Sequence, residues 1–382
     1  MVILENCASY DHDAVKAAVK AIFDASGGIE KLVTPGTKVA LKPNLVAKRK
    51  PEEAATTHPA ILRAVAELCA EAGGVVTVCE SPGGVYDKAV LKGLYKGTGI
   101  EEAAQAAGAE LNFDLSVTKV DNPEAMYQKT LEILAPLAEA DVVINLAKLK
   151  THGMMVYTGA VKNLFGAIPG IGKAEYHFKM PDYASFANTV IDIFLAVKPA
   201  FSIIDSVVGM HKDGPTAGEP FEAGLLLGGD NAFEVDRVAL DLISARTERV
   251  PMAKEAISRG LMPADIDAVE LAGDLSLTDA RKRLTGFVVK YNDDFSRLHF
   301  SDGFLGKLMS KMVKPKPVFT KKCRSCGECA RLCPVKAITV EKGKRAKADL
   351  DKCIRCYCCQ ELCRFKAVKI KKTPITKLAQ KL

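Results

Sequence analysis

Nine of the twelve cysteines lie between positions 323 and 363, and eight of them form two runs of identical spacing. These are Cys323-x2-Cys326-x2-Cys329-x3-Cys333 and Cys353-x2-Cys356-x2-Cys359-x3-Cys363. Three cysteines at x2 steps wrap a tight loop around one face of an iron–sulfur cubane, and the fourth starts a helical turn directed away from its own loop. In a duplicated arrangement that fourth thiolate serves the other cluster. The spacing therefore predicts two [4Fe–4S] clusters. One is ligated by Cys323, Cys326, Cys329 and Cys363, the other by Cys353, Cys356, Cys359 and Cys333. Zinc, the competing metal for CxxC pairs, needs four tetrahedral ligands and has no use for the third x2 step.

A thiol cluster of this density implies metal ligation in a reducing compartment rather than disulfides. The opening residues carry no signal-like run, and no stretch approaches the ~18–20 apolar residues of a membrane span. The expectation is a cytoplasmic protein. Cys7, Cys69 and Cys79 are scattered singly in apolar surroundings and read as buried small hydrophobes.

The formal charge of +7 hides an asymmetry. From Lys307 onward there are 22 Lys or Arg against 5 Asp or Glu, a net of +17, which leaves −10 for residues 1–306. Two oxidised clusters with their thiolates offset about four of those positive charges. The remainder could dock the acidic N-terminal part or an acidic redox partner. Nucleic acid is the weaker alternative, because the basic segment offers few stacking aromatics and no recognised nucleic-acid fold.

The first 300 residues alternate strand-like and helix-like segments. Helices are expected from an Asp13 cap to about Ser26, over His58 to Ala72, near 87–95, 100–107 and 129–138, over Tyr183 to Val197, and over Asn231 to Ala245. Strands are expected at Lys38 to Leu41, Val75 to Cys79, Val142 to Leu146, Phe201 to Ile204 and Gly224 to Leu227. Helical crossovers of this length imply an α/β domain with a mainly parallel layered sheet. The boundaries read as an α/β domain at 1–305, a basic Pro-containing linker at 306–320, a small α+β two-cluster domain at 321–372, and a basic tail at 373–382.

The cysteine runs, with Pro334 after the first, resemble the bacterial-type two-cluster ferredoxins over residues about 318–372. The resemblance implies two short hairpins and two short helices in pseudo-twofold order, with Ala337 to Val340 and Ala367 to Ile370 as matching strands. Arg364 departs from the proline usual after the fourth cysteine, and Cys358 is an extra thiol beside the ligand Cys359.

Polar residues cluster at expected strand ends in three places: Leu41-Lys42-Pro43-Asn44-Leu45, Glu80-Ser81-Pro82-Gly83-Gly84, and Asn145 through Gly170. Strand ends are where α/β proteins put their sites. Lys42, Asn44, Lys148, Lys150 and Lys162 are candidates to bind an anionic group. His152 is a candidate general acid or base because a histidine titrates near neutrality, and Glu80 and Asp205 are candidate carboxylates. Gly166 to Ala174 has a P-loop flavour without the required spacing, though its amides could line an anion pocket. With Thr56-Thr57-His58-Pro59, these segments resemble the widespread prokaryotic family called domain of unknown function 362, often fused to a ferredoxin module. His152 and Lys162, in a Gly-rich stretch closing on Pro169-Gly170, also look like the nickel-pincer lactate racemases. That resemblance implies an acid/base role for His152, a cofactor-holding role for Lys162 and a nickel-binding position for His177.

The preferred reading is a redox enzyme whose clusters pass electrons to a small-molecule substrate or cofactor at the strand ends. It predicts a concave pocket lined by Lys42, Asn44, His152 and Lys162 close to a cluster. The alternatives are a non-enzymatic electron carrier docking a partner protein, and a racemase-like enzyme using His152 and Lys162.

Overall fold

The computed structural model describes residues 1–170, 172–180, 182–291 and 314–373. Of the expected linker at 306–320, residues 306–313 lie outside the described residues and Lys316–Phe319 form a strand; of the expected tail at 373–382, all but residue 373 lie outside them.

Among the described residues eleven strands belong to the large domain: β1 (Val2–Asn6), β2 (Lys38–Pro43), β3 (Val75–Val78), β4 (Glu110–Leu111), β5 (Val117–Asp121), β6 (Thr130–Leu134), β7 (Val142–His152), β8 (Val156–Thr158), β9 (Phe201–His211), β10 (Glu219–Gly229) and β11 (Leu271–Ala272). Nine of them form one sheet in the order β11-β1-β10-β9-β7-β2-β3-β4, with β8 paired to β7. The centre, β9-β7-β2-β3-β4, is parallel, whereas β10 runs antiparallel to both β9 and β1. The mainly parallel sheet is thus as the alternation predicts, with an antiparallel insertion at one side.

Helices cover both faces, as buried parallel strands require. Helices α1 (His12–Ala25), α2 (Pro59–Glu71), α3 (Lys88–Gly97) and α4 (Ile100–Ala106) bury Val19, Ile22, Leu62, Val65, Leu91, Leu94 and Ile100 on one face. On the other face lie α5 (Ala135–Ala138), α6 (Ala160–Asn163), α7 (Gly172–Lys179), α8 (Tyr183–Val197), α9 (Ala232–Leu242), α10 (Pro251–Ser258) and α11 (Leu277–Arg283), around Phe186, Val190, Ile193, Val235 and Val238.

Two local expectations are corrected. Asp11, not Asp13, caps α1, its carboxylate accepting the Ala14 amide at 3.1 Å. Residues 130–134 form a strand paired to β5 rather than a helix. Leu131 and Ile133 are buried between exposed Thr130 and Glu132, a period of two that fits a sheet edge, and Pro136 then opens the short α5.

Strands β7, β9 and β10 run much farther than their apolar stretches. β7 continues through Lys148, Lys150 and His152, all buried, and β9 through Asp205 to His211. Charged residues ended the expected strands at 146 and 204, but here they face one another inside the protein.

The C-terminal module contains β12 (Lys316–Phe319), β13 (Ile338–Thr339), β14 (Lys347–Ala348), β15 (Val368–Lys371), and the short helices α12 (Glu328–Arg331) and α13 (Cys358–Glu361). β12 pairs with β15 and β13 with β14. The internal repeat is visible in the backbone. Ser325 and Arg355, Gly327 and Tyr357, and Lys336 and Lys366 all have positive φ, each pair thirty positions apart.

Candidate functional site

The module sits against the C-terminal ends of the parallel strands. Arg49 donates to the carbonyl oxygens of Cys363 (2.8 Å) and Arg364 (3.2 Å), and Thr216 Oγ1 donates to Glu361 O at 2.7 Å. Lys366 pairs with Glu53 at 2.9 Å. Sequence charge anticipated docking of a basic module on an acidic domain, yet much of this seam is made by side chains of the large domain reaching module carbonyls.

The glycines of the Glu80-to-Gly84 loop receive two leucines of the module. A Cβ on Gly83 would fall 2.7 Å from Leu362, and one on Gly84 would fall 3.3 Å from Leu332. Leu332 and Leu362 immediately precede the fourth cysteines of the two runs, so this loop seats both halves of the repeat together.

Between the module and the sheet lies a cavity of roughly 750 Å³ including its open mouth. Its walls include Asn44, Glu80, Ser81, Lys162 and His177 from the large domain, and Leu332, Cys358, Glu361 and Leu362 from the module. Two smaller cavities lie inside the module. One is lined by Cys323, Cys326, Cys329 and Cys363, the other by Cys333, Cys353, Cys356 and Cys359. The fourth cysteine of each run therefore faces the other run's loop. Leu362 borders both the first thiol cavity and the seam cavity, and Cys358 borders both the second and the seam cavity.

Each candidate side chain takes its place from this frame. Lys42 lies beneath the seam, where its Nζ donates to Glu80 Oε2 and Pro43 O at 2.8 Å each. Both partners are almost wholly buried, and Glu80 Oε2 also accepts the Leu45 amide at 2.8 Å. Removing one member of such a pair would strand the other charge, so the pair acts as a fixed floor. Asn44 does line the cavity; it accepts Lys150 Nζ at 2.6 Å and donates to Asn163 at 2.8 Å. Lys150 also donates to Ala55 O at 2.7 Å, and burial pulls its pKa down to about 7.

Farther along the sheet, Lys148 pairs with Asp205 at 2.8 Å, and Tyr10 bridges them, accepting from Lys148 at 2.7 Å and donating to Asp205 at 2.8 Å. Asp205 also accepts the His58 amide at 2.9 Å. This network ties the start of α2 to β7 and β9.

His152 is buried at the end of β7 and does not line the cavity. Its Nδ1 accepts the amides of Met154 and Met155 at 3.1 and 3.2 Å, which leaves Nε2 to carry the proton of the neutral ring. Burial, helped by Lys162, holds its pKa well below the usual range, so Nε2 faces Glu361 as a neutral N–H. His177 lines the cavity, stacked on Phe186 at 4.2 Å, with its Nδ1 buried and unpartnered. Burial pulls its pKa down to about 3. Among the described residues no three His, Cys, Asp or Glu side chains converge closely enough to hold a single metal ion.

Sequence reasoning missed Glu361 and Lys173. Lys173 turns inward and donates to four oxygens, of Ser81, Pro82 and Ile168, pinning the segment at Ile168 to the Glu80 loop. The P-loop flavour had drawn attention to that lysine's segment but not to this structural task. Glu361 gave no signal, because it reaches the site from another domain.

The comparisons follow this division. Residues 39–241 match the family described as domain of unknown function (DUF362), and residues 316–339 match the 4Fe-4S binding domain, a span holding the first cysteine run. The chain is 32% identical over 270 residues to the "Thylakoid-associated protein sll1697" of Synechocystis sp., an alignment covering 70% of this chain and 81% of that protein. Among solved structures it is similar to the lactate racemase apoprotein of Thermoanaerobacterium thermosaccharolyticum, at 14% identity and a TM-score of 0.42. That similarity covers 63% of this chain and spans 57% of the racemase, too distant a likeness to carry an argument. No helix among the described residues is long and apolar enough to cross a membrane.

Proposed function

We propose that this chain, which belongs to the DUF362 family and carries a 4Fe-4S binding domain, is a redox enzyme that binds two [4Fe–4S] clusters and acts on a small molecule in the seam cavity. Cys323, Cys326, Cys329 and Cys363 hold one cluster, and Cys353, Cys356, Cys359 and Cys333 the other. The fit rests on the two module cavities, each bordered by one of these sets; thiols spread around a cavity suit a cubane rather than a single ion. When bound, such clusters supply single electrons at potentials tuned by neighbouring hydrogen bonds and charge.

The observation that carries the enzymatic reading is the pair of shared walls. Leu362 borders both the seam cavity and one thiol cavity, and Cys358 borders both the seam cavity and the other. A carrier that only docks a partner has no need of a concave chamber, set with charged and amide side chains, between its clusters and a second domain. Fusion of the two parts keeps the electron source at high effective concentration beside the site. Within the chamber this chain's own residues bind and orient: Asn44 and Asn163 form a hydrogen-bonded wall, the Lys42–Glu80 pair fixes the floor, and Lys162 presents its ammonium. We assign electron supply to a redox partner protein and the chain itself to a reducing compartment such as the cytoplasm.

Anaerobic purification followed by iron, sulfide and zinc analysis, with EPR of the dithionite-reduced protein, tests this reading. Two clusters correspond to roughly eight irons and eight sulfides per chain. Zinc in place of iron, or iron for a single cluster, would overturn it.

A further inference from the structure

Five lysines turn inward around the strand ends, and four of them are saturated. Lys42 and Lys148 each have a carboxylate at 2.8 Å, Lys150 has Asn44 and Ala55 oxygens, and Lys173 has four oxygens. Lys162 differs. Its side chain lines the seam cavity, and among the described residues its Nζ meets no hydrogen-bond acceptor and no carboxylate at ion-pairing distance. Its one close partner is the face of Phe165, 5.6 Å from Nζ, which is a weak substitute for water. Its Nζ opens onto the cavity with no protein oxygen beside it, so a cation in this position is placed to take an anion from outside. Beside it the ring of His177, 94% buried by exposed fraction, keeps a nitrogen without a partner.

We infer that the seam cavity binds a small oxyanion, a carboxylate or phosphate group, whose charged oxygens dock on Lys162 Nζ beside His177. The inference rests on the seam cavity being the substrate site, but it concerns binding and needs no electron transfer.

Glu361 and Cys358 stand across the cavity from Lys162, while Lys150, His152, Lys173 and His177 face it from the large domain, and burial lowers its pKa from the ordinary lysine value.

The test is anaerobic calorimetry on the full, cluster-loaded chain with sodium propionate and with inorganic phosphate, against sodium chloride at equal ionic strength. Binding of propionate identifies a carboxylate site and binding of phosphate a phosphate site; either supports the inference. Lys162→Met should weaken binding by roughly tenfold to a hundredfold, the range expected for a lost charge-assisted hydrogen bond, and Lys162→Arg should retain most of it. Failure of both anions to bind, or equal binding by Lys162→Met, overturns the inference. Should the Met variant not fold, equal binding by Lys162→Gln overturns it instead. Correct cluster stoichiometry without anion binding would sink this inference and leave the redox reading standing.

Discussion

The Nε2 of His152 stands 3.6 Å from Oε2 of Glu361, a contact that joins the end of the central sheet strand to the helix between two cluster-run cysteines. It is too long for a hydrogen bond, and the ring is neutral because its Nδ1 is already occupied by two amides. The histidine is thus packed as part of the seam. Glu361→Gln should therefore leave the fold intact, with an unfolding midpoint by chemical denaturation within about 1 kcal/mol of the parent. A loss of several kcal/mol would show that His152 and Glu361 form a true ion pair.

Gly83 tests how the two parts are seated. Its Cβ position falls against Leu362, so Gly83→Val forces the module away from the loop. Overpacking of this sort costs about 1–3 kcal/mol. The expected signs are a lower melting temperature and faster proteolysis near residue 362, and an unchanged melting curve would show that the leucine repacks freely.

Interlocking of the runs makes the cysteines non-equivalent in a way that can be counted. Under the proposed ligation, Cys333→Ala removes a ligand from the second run's cavity, not from its own run's loop. Iron should fall by about half, with the EPR signal of the Cys323, Cys326, Cys329 and Cys363 set retained. Cys358→Ala, by contrast, should leave iron content unchanged. Loss of iron in that variant would make Cys358 a ligand.

The buried Lys148–Asp205 pair should be expensive to break. Lys148→Met strands a carboxylate that is wholly inside the protein, at a cost of about 3–5 kcal/mol. Replacing both members with apolar residues should recover part of that loss, as measured by denaturant midpoints. If the single variant is as stable as the parent, Tyr10 and the His58 amide satisfy Asp205 without the lysine.

Lys150 gives a pH dependence of defined sign. Its folded pKa lies near 7 against 10.5 for an ordinary lysine, so between those limits the unfolded chain binds more protons than the folded one. This lysine's contribution to stability accordingly rises as pH increases from about 7 to 10.5. Denaturant midpoints of the parent should gain on those of Lys150→Met over that window. Parallel pH profiles would count against a desolvated Lys150.

Chain-local information determined a good deal of this protein. Cysteine spacing is a local property, since loop geometry at x2 steps dictates how three thiols surround a cubane, and the repeat reappears as left-handed residues thirty positions apart. The alternation of apolar runs and helical segments likewise dictated a layered, mainly parallel sheet, because parallel neighbours need crossovers. Only tertiary structure decided where β7 and β9 end and which lysines are available. Lys148 and Lys150 look like solvated loop residues until Asp205 and Asn44, distant in sequence, are brought to them, and among the described residues the same packing leaves Lys162 without an oxygen partner. Glu361 enters the site only when the C-terminal module closes on the sheet. Burial and pairing are properties of contacts between distant segments, and a single chain read in order does not contain them.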